Sequence, residues 1–148
     1  MLKLTKSASA LFVFLLYYYQ HVMPEPKKIL LAEDDEFLSS LLKNRLQREG
    51  FAVDLAKTGD QVVEMVKSGH PDLVLLDIIL PGKLGFEILE DMRKDPKLSK
   101  LPFMVMSNLG QDEDIQKAKA LGAIDYFVKA RIMIDDLIKR ISSFLNTK

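Results

Sequence analysis

Four apolar runs in this chain each end on residues able to do polar chemistry. Lys28-Ile29-Leu30-Leu31-Ala32 leads into Glu33-Asp34-Asp35, Leu73-Val74-Leu75-Leu76 into Asp77, Phe103-Met104-Val105-Met106 into Ser107, and Tyr126-Phe127-Val128 into Lys129. Strands buried on both faces of a parallel α/β sheet read as continuous apolar runs, and functional groups collect just beyond their carboxyl ends. Four such ends on one sheet edge bring together carboxylates, a hydroxyl and an ammonium. Carboxylates crowded in this way repel, so they take up protons or hold a cation. A hard divalent ion is the natural guest, and Mg²⁺ is typically bound by one or two carboxylates, water and a phosphoryl oxygen. Lys129 and Ser107 are suited to be the phosphoryl partners.

The elements that must position these residues are legible as alternation. After the run at 28–32, Phe37, Leu38, Leu41, Leu42 and Leu46 recur at helical spacing until Gly50, the residue favoured just past a helix end. Phe51 to Leu55 alternates as a strand, and Thr58-Gly59-Asp60-Gln61 has capping-box spacing ahead of a helix with Gly69 beyond its end. A short buried strand at 73–76 precedes a loop punctuated by Pro81-Gly82 and Gly85, then a helix through Phe86, Ile88, Leu89 and Met92 that stops before Pro96. Leu101 to Met106 is the fourth strand, Ile115, Ala118 and Leu121 mark the fourth helix, Ile124 to Val128 is the fifth strand, and Ile134 to Leu145 is the last helix. Five βα units with short connections imply a doubly wound parallel sheet with helices on both faces, because parallel neighbours need right-handed helical crossovers. Eight units would be needed for a barrel. Periodicity alone leaves the strand order open.

With 148 residues, 48% of them hydrophobic, the chain can bury one good core. Lys plus Arg and Asp plus Glu number 21 each, the formal net charge is zero, and the basic residues are dispersed. That pattern argues against direct nucleic-acid binding. The absence of cysteine excludes disulfides, thiolate metal sites and a cysteine nucleophile, and is compatible with a reducing cytoplasm. Residues 1–26 differ from the rest: Ala10 to Tyr19 is a dense apolar and aromatic run, preceded by Lys3 and Lys6, with no acidic residue before Glu25. It falls short of the roughly 20 apolar residues of a spanning helix. It has the length of a signal-peptide core, yet Gln20-His21-Val22-Met23-Pro24 offers no small-residue cleavage pattern. Three readings stand open: translation starting at Met23, a short membrane-associating anchor within residues 1–22, or an extra packed helix. The folded domain is placed at 27–148.

Lys27 to Asn146 resembles the receiver domain of two-component response regulators. The resemblance rests on the ordered set of Glu33-Asp34, the segment Asp72-Leu-Val-Leu-Leu-Asp77-Ile-Ile-Leu-Pro81-Gly82, Ser107 and Lys129 on a five-unit βα pattern. It implies a flavodoxin-like fold with strand order 2-1-3-4-5. It implies that Asp77 accepts a phosphoryl group, with Lys129 and Ser107 assisting. Mg²⁺ would be held by Glu33, Asp34, Asp77 and the backbone carbonyl of Ile79. The donor would be a phosphohistidine on a sensor histidine kinase or histidine phosphotransfer protein. Ser107 and Tyr126 would form a switch that alters a face made by the fourth helix, fifth strand and fifth helix of the repeat, read by a downstream protein. The same resemblance implies a signalling domain rather than an enzyme, in the cytoplasm. If the chain is complete, its signal leaves through protein contacts, since the last helix nearly reaches Lys148.

Departures from the family pattern carry expectations of their own. Ala130 follows Lys129 where receivers usually have proline after a cis bond; before a non-proline residue that isomer costs about 2.5–4 kcal/mol. Leu84 replaces an acidic or amide residue before Gly85. Ile79 and Leu109, which correspond to positions flanking the phosphoryl group, are apolar, so self-dephosphorylation is expected to be slow. Asp35 is expected to serve as a helix N-cap as readily as a ligand. Two rival chemistries fit less well: a flavin binder would want a phosphate-cradling loop where the three acids stand, and an aspartate-nucleophile hydrolase would want a second acid at Ile79. A docking or dimerisation module that works without phosphorylation is the remaining alternative.

Overall fold

The computed structural model describes residues 6–146; Lys3 and Lys148 lie outside them. In chain order the elements are α1 (Lys6–His21), β1 (Lys28–Ala32), α2 (Glu36–Arg48), β2 (Ala52–Ala56), α3 (Gly59–Gly69), β3 (Leu73–Leu76), α4 (Gly85–Lys94), β4 (Phe103–Ser107), α5 (Asp112–Ala120), β5 (Tyr126–Val128) and α6 (Ile134–Asn146). All strand pairs are parallel and the sheet runs β2-β1-β3-β4-β5.

Alternate residues of each central strand enter two separate cores, as the two-residue period of a strand requires. Leu30, Val74, Leu76, Phe103 and Val105 meet Val62 and Val66 of α3, Ile88, Leu89 and Met92 of α4, and Ala118 of α5. Ile29, Leu31, Leu73, Leu75, Met104 and Met106 meet Leu42 and Leu46 of α2 and Leu137, Ile138 and Ile141 of α6. Both faces of β1, β3 and β4 are therefore covered, which is why these strands read as unbroken apolar runs. β5 is an edge strand, and its three residues are only half-buried.

Local chemistry sets the helix ends. Asp35 caps α2 by accepting from the Leu38 N–H at 2.6 Å. Thr58 caps α3 by accepting from the Gln61 N–H, while Gln61 reaches back to the Lys57 N–H rather than to the cap residue itself. Gly50 takes a left-handed φ of 94° after α2. Gly69, expected beyond the end of α3, is instead its last residue, and His70 adopts the left-handed conformation at φ 46°. Histidine is among the few side chains enriched there. Gly85 is demanded by contact: a Cβ would lie 2.6 Å from Ile78 Cα, so the loop after β3 folds tightly back over its own strand end.

α1 forms over the apolar amino-terminal run, and its side chains from Leu11 to Tyr19 stay exposed. No helix among the described residues is long and apolar enough to cross a membrane.

Candidate functional site

The backbone ladder continues one bond past each strand, and this places the polar residues. Asp77 N–H donates to Ala32 O at 3.0 Å, Glu33 N–H to Ala56 O at 3.0 Å, and Lys129 N–H to Ser107 O at 2.9 Å. Glu33, Asp77, Ser107 and Lys129 are thus held on neighbouring strand ends by main-chain bonds that do not depend on their side chains. Beyond these ends lies a cleft of about 630 Å³ lined by Glu33, Asp34, Asp77, Ile79, Asn108 and Lys129, with Phe37 at its rim.

The Lys129 ammonium joins the cluster. Its Nζ lies 2.5 Å from Asp77 Oδ2 and 2.6 Å from Glu33 Oε2. Asp77 Oδ1 accepts from the Ile79 N–H at 3.0 Å, and Glu33 Oε1 accepts from the Asp35 N–H at 3.0 Å. Glu33 is fully buried and Asp77 is 4% exposed, whereas Asp34 is open to solvent. Burial pushes the Glu33 carboxyl above its ordinary value, against the opposing pull of Lys129 and the Asp35 N–H. Burial also works to lower Lys129, but its hydrogen bonds and charge contacts with Asp77 and Glu33 outweigh this, so the ammonium is held above its ordinary value. Lys129 reaches the carboxylates although the peptide before Ala130 is trans, as are all peptides among the described residues.

The donor set fits a hard cation. One oxygen each from Glu33, Asp34 and Asp77 lie within 4.8 Å of one another. Glu33 Oε2 is buried and meets Lys129 Nζ as an ion pair, with no second side-chain or backbone partner. Three carboxylates facing one ammonium leave a local excess of negative charge that a divalent ion would offset.

Ser107 is buried at the end of β4, its Oγ accepting from the Leu109 N–H at 3.3 Å. Tyr126 turns inward and donates to Leu109 O at 2.7 Å. Burial, followed by the charge of Asp114, raises the Tyr126 phenol above its ordinary value, with the neighbouring Ser107 hydroxyl opposing. Asp35 is spent on capping α2 through its side chain, although it borders the cleft. Ile79 and Asn108 stand on the cleft wall, whereas Leu109 packs against the core. Asn108 is not among the residues expected from the sequence, although as a polar residue directly after a strand-end serine it follows the same strand-end logic. Phe37 and Leu38 count in the sequence only as helix spacing; the cleft wall they form depends on how α2 leaves β1.

With this geometry in place, comparison with known proteins is direct. The pattern of the family described as "Response regulator receiver domain" matches residues 29–142. The chain belongs to the response regulator receiver domain family. It is 36% identical over 118 residues to the phosphate regulon transcriptional regulatory protein PhoB of Rhizobium meliloti (strain 1021), covering 80% of this chain but only 52% of that protein. It is 34% identical over 103 residues to the chemotaxis protein CheY of Halobacterium salinarum, covering 70% of this chain and 84% of that one. The crystal structure of the phosphorylated cyanobacterial phytochrome response regulator RcpA superposes with a TM-score of 0.74 at 28% identity, covering 83% of this chain and 96% of the other. The receiver fold and its strand order, expected from the resemblance, are those found.

Proposed function

We propose that this receiver domain accepts a phosphoryl group on Asp77 from a phosphohistidine donor and passes the signal to a protein partner through a change at Ser107 and Tyr126. The observation that carries the reading is the Lys129 ammonium bridging Asp77 and Glu33 at the mouth of an acidic cleft. In the reaction an Asp77 carboxylate oxygen attacks phosphorus, the phosphorus–nitrogen bond of the donor breaks, and its electron pair leaves on the imidazole nitrogen. Glu33, Asp34, Asp77 and the Ile79 backbone carbonyl are the groups to hold Mg²⁺, which when bound compensates the charge of the phosphoryl oxygens. Lys129 follows the charge from the carboxylate to a phosphoryl oxygen. Ser107, whose Oγ accepts from the Leu109 N–H in the unmodified site, would turn its hydroxyl to donate to another. Movement of Ser107 toward the phosphate loosens the Ser107–Leu109–Tyr126 arrangement, and this biases the surface formed by α5, β5 and α6. The donor belongs to a histidine kinase or phosphotransfer protein in the cytoplasm. A similar regulator crystallised in phosphorylated form supports the chemistry.

The test is incubation with acetyl phosphate, with and without Mg²⁺, read on phosphate-affinity gels for wild type, Asp77→Asn and Lys129→Met. Modification that needs Mg²⁺, vanishes in Asp77→Asn and weakens in Lys129→Met is expected. A folded, Mg²⁺-binding wild type that is never modified would instead mark a docking or dimerisation module.

A further inference from the structure

α1 has no place in the phosphoryl chemistry, and its composition calls for a separate account. Leu11, Phe12, Val13, Phe14, Leu15 and Leu16 are consecutive, and each is 47–65% exposed. Six consecutive residues run more than once around a helix, so the apolar surface encircles α1 rather than forming a stripe. A stripe suits a groove on a protein; a helix apolar all round is stable only where apolar material surrounds it.

We propose that α1 inserts into one leaflet of an anionic lipid bilayer and tethers the receiver domain to that surface. Its ends say how it sits. Tyr17, Tyr18 and Tyr19 close the apolar run and are 44–71% exposed, and tyrosine seeks the headgroup level with its ring in the acyl boundary. Before the run the sequence supplies Lys3 and Lys6, and no acidic residue occurs until Glu25. Lysines at that position match anionic headgroups. The whole of α1, Lys6–His21, is 16 residues and so about 24 Å long, short of a hydrocarbon core of about 30 Å. Neither headgroup-seeking end can reach the opposite interface, so both stay at the same one and the helix lies within a single leaflet.

The tether joins the domain at a favourable point. Six residues, 22–27, connect α1 to β1, so the chain enters the sheet at the amino-terminal end of β1 while Glu33 and the cleft sit past its carboxyl end. A membrane-held α1 therefore anchors the domain by the sheet edge opposite Asp77.

The experiment is flotation of the full chain and of Phe14→Asp with vesicles of phosphatidylcholine, alone or mixed with phosphatidylglycerol. Three of the four tyrosines lie in α1, so quenching of tyrosine fluorescence by brominated lipid reports insertion. The full chain is expected to float and be quenched, more strongly with phosphatidylglycerol, and Phe14→Asp to lower partitioning about a hundredfold, as for an acidic residue at the centre of an embedded helix. Unchanged modification of Phe14→Asp by acetyl phosphate shows that its domain is folded. Equal flotation of both proteins would overturn the proposal. So would a full chain that ignores vesicles and instead self-associates in lipid-free buffer while Phe14→Asp stays monomeric, which would make a second copy the partner of α1.

Discussion

Asp34 and Asp35 are neighbours of like charge, but the Asp35 carboxylate is engaged by the Leu38 N–H while Asp34 shares the carboxylate cluster with Glu33 and Asp77. Asp35→Ala should therefore cost about 1 kcal/mol, the usual loss of an N-cap, and leave Mg²⁺-dependent phosphorylation intact. Asp34→Ala should leave the melting temperature nearly unchanged in metal-free buffer and abolish the stabilisation that added Mg²⁺ gives the wild type. Paired thermal melts and phosphorylation assays separate the two. Tyr126 supplies a pH test. Its raised phenol means that the folded state holds this proton more tightly than the unfolded chain, so the stability it contributes is complete below the ordinary phenol range and declines as pH rises from there to the folded value. Tyr126→Phe should remove that alkaline decline in thermal melts, together with the tyrosinate absorbance that appears above the ordinary phenol range.

The helices and strands depend on contacts that no side-chain pattern announces. The Arg93 guanidinium, at the end of α4, donates to Leu121 O at 2.6 Å, Ser99 O at 2.5 Å, Leu101 O at 3.2 Å and Gly122 O at 3.4 Å, and lies 4.4 Å from the Phe103 ring centroid. It ties the end of α5 and the start of β4 to α4. Arg93→Met should destabilise the domain by about 3 kcal/mol, since hydrogen bonds to a charged group are worth about 1.5–3 kcal/mol and the freed carbonyls are partly buried; denaturant unfolding measures this. Strand positions are legible in the sequence because β1, β3 and β4 are covered on both faces, so that β1 and β3 begin and end where their apolar runs do. β4 is less so: Leu101 and Pro102 continue the apolar run, yet the Leu101 carbonyl is taken by Arg93 and pairing starts at Phe103. β5 likewise starts at Tyr126 rather than Ile124, whose N–H bonds Phe103 O outside the strand. The site acids and Lys129 are legible because they stand at strand ends. Asn108, directly after the strand-end Ser107, obeys the same rule; Phe37 does not, because its place on the cleft wall comes from how α2 leaves β1.

The molecule as a whole joins a two-faced core to an acidic edge. Leu75, fully buried in the core shared with α2 and α6, should lose about 2–5 kcal/mol on replacement by alanine, with the same phosphorylation specificity in the folded fraction. Ile79, 51% exposed beside Asp77, gives an attacking water no polar side chain to hold it. A long-lived phosphoprotein is expected, and Ile79→Asn should shorten its lifetime in a decay series after removal of the donor. The phosphorylation effects among these presuppose one acceptor. The measurement that tests it most directly is borohydride reduction of the acetyl phosphate-treated chain followed by peptide mass spectrometry, because reduction of an aspartyl phosphate leaves homoserine. Homoserine is expected at position 77, present only when Mg²⁺ was supplied. Homoserine at Asp34 or elsewhere, or modification indifferent to Mg²⁺, would contradict it.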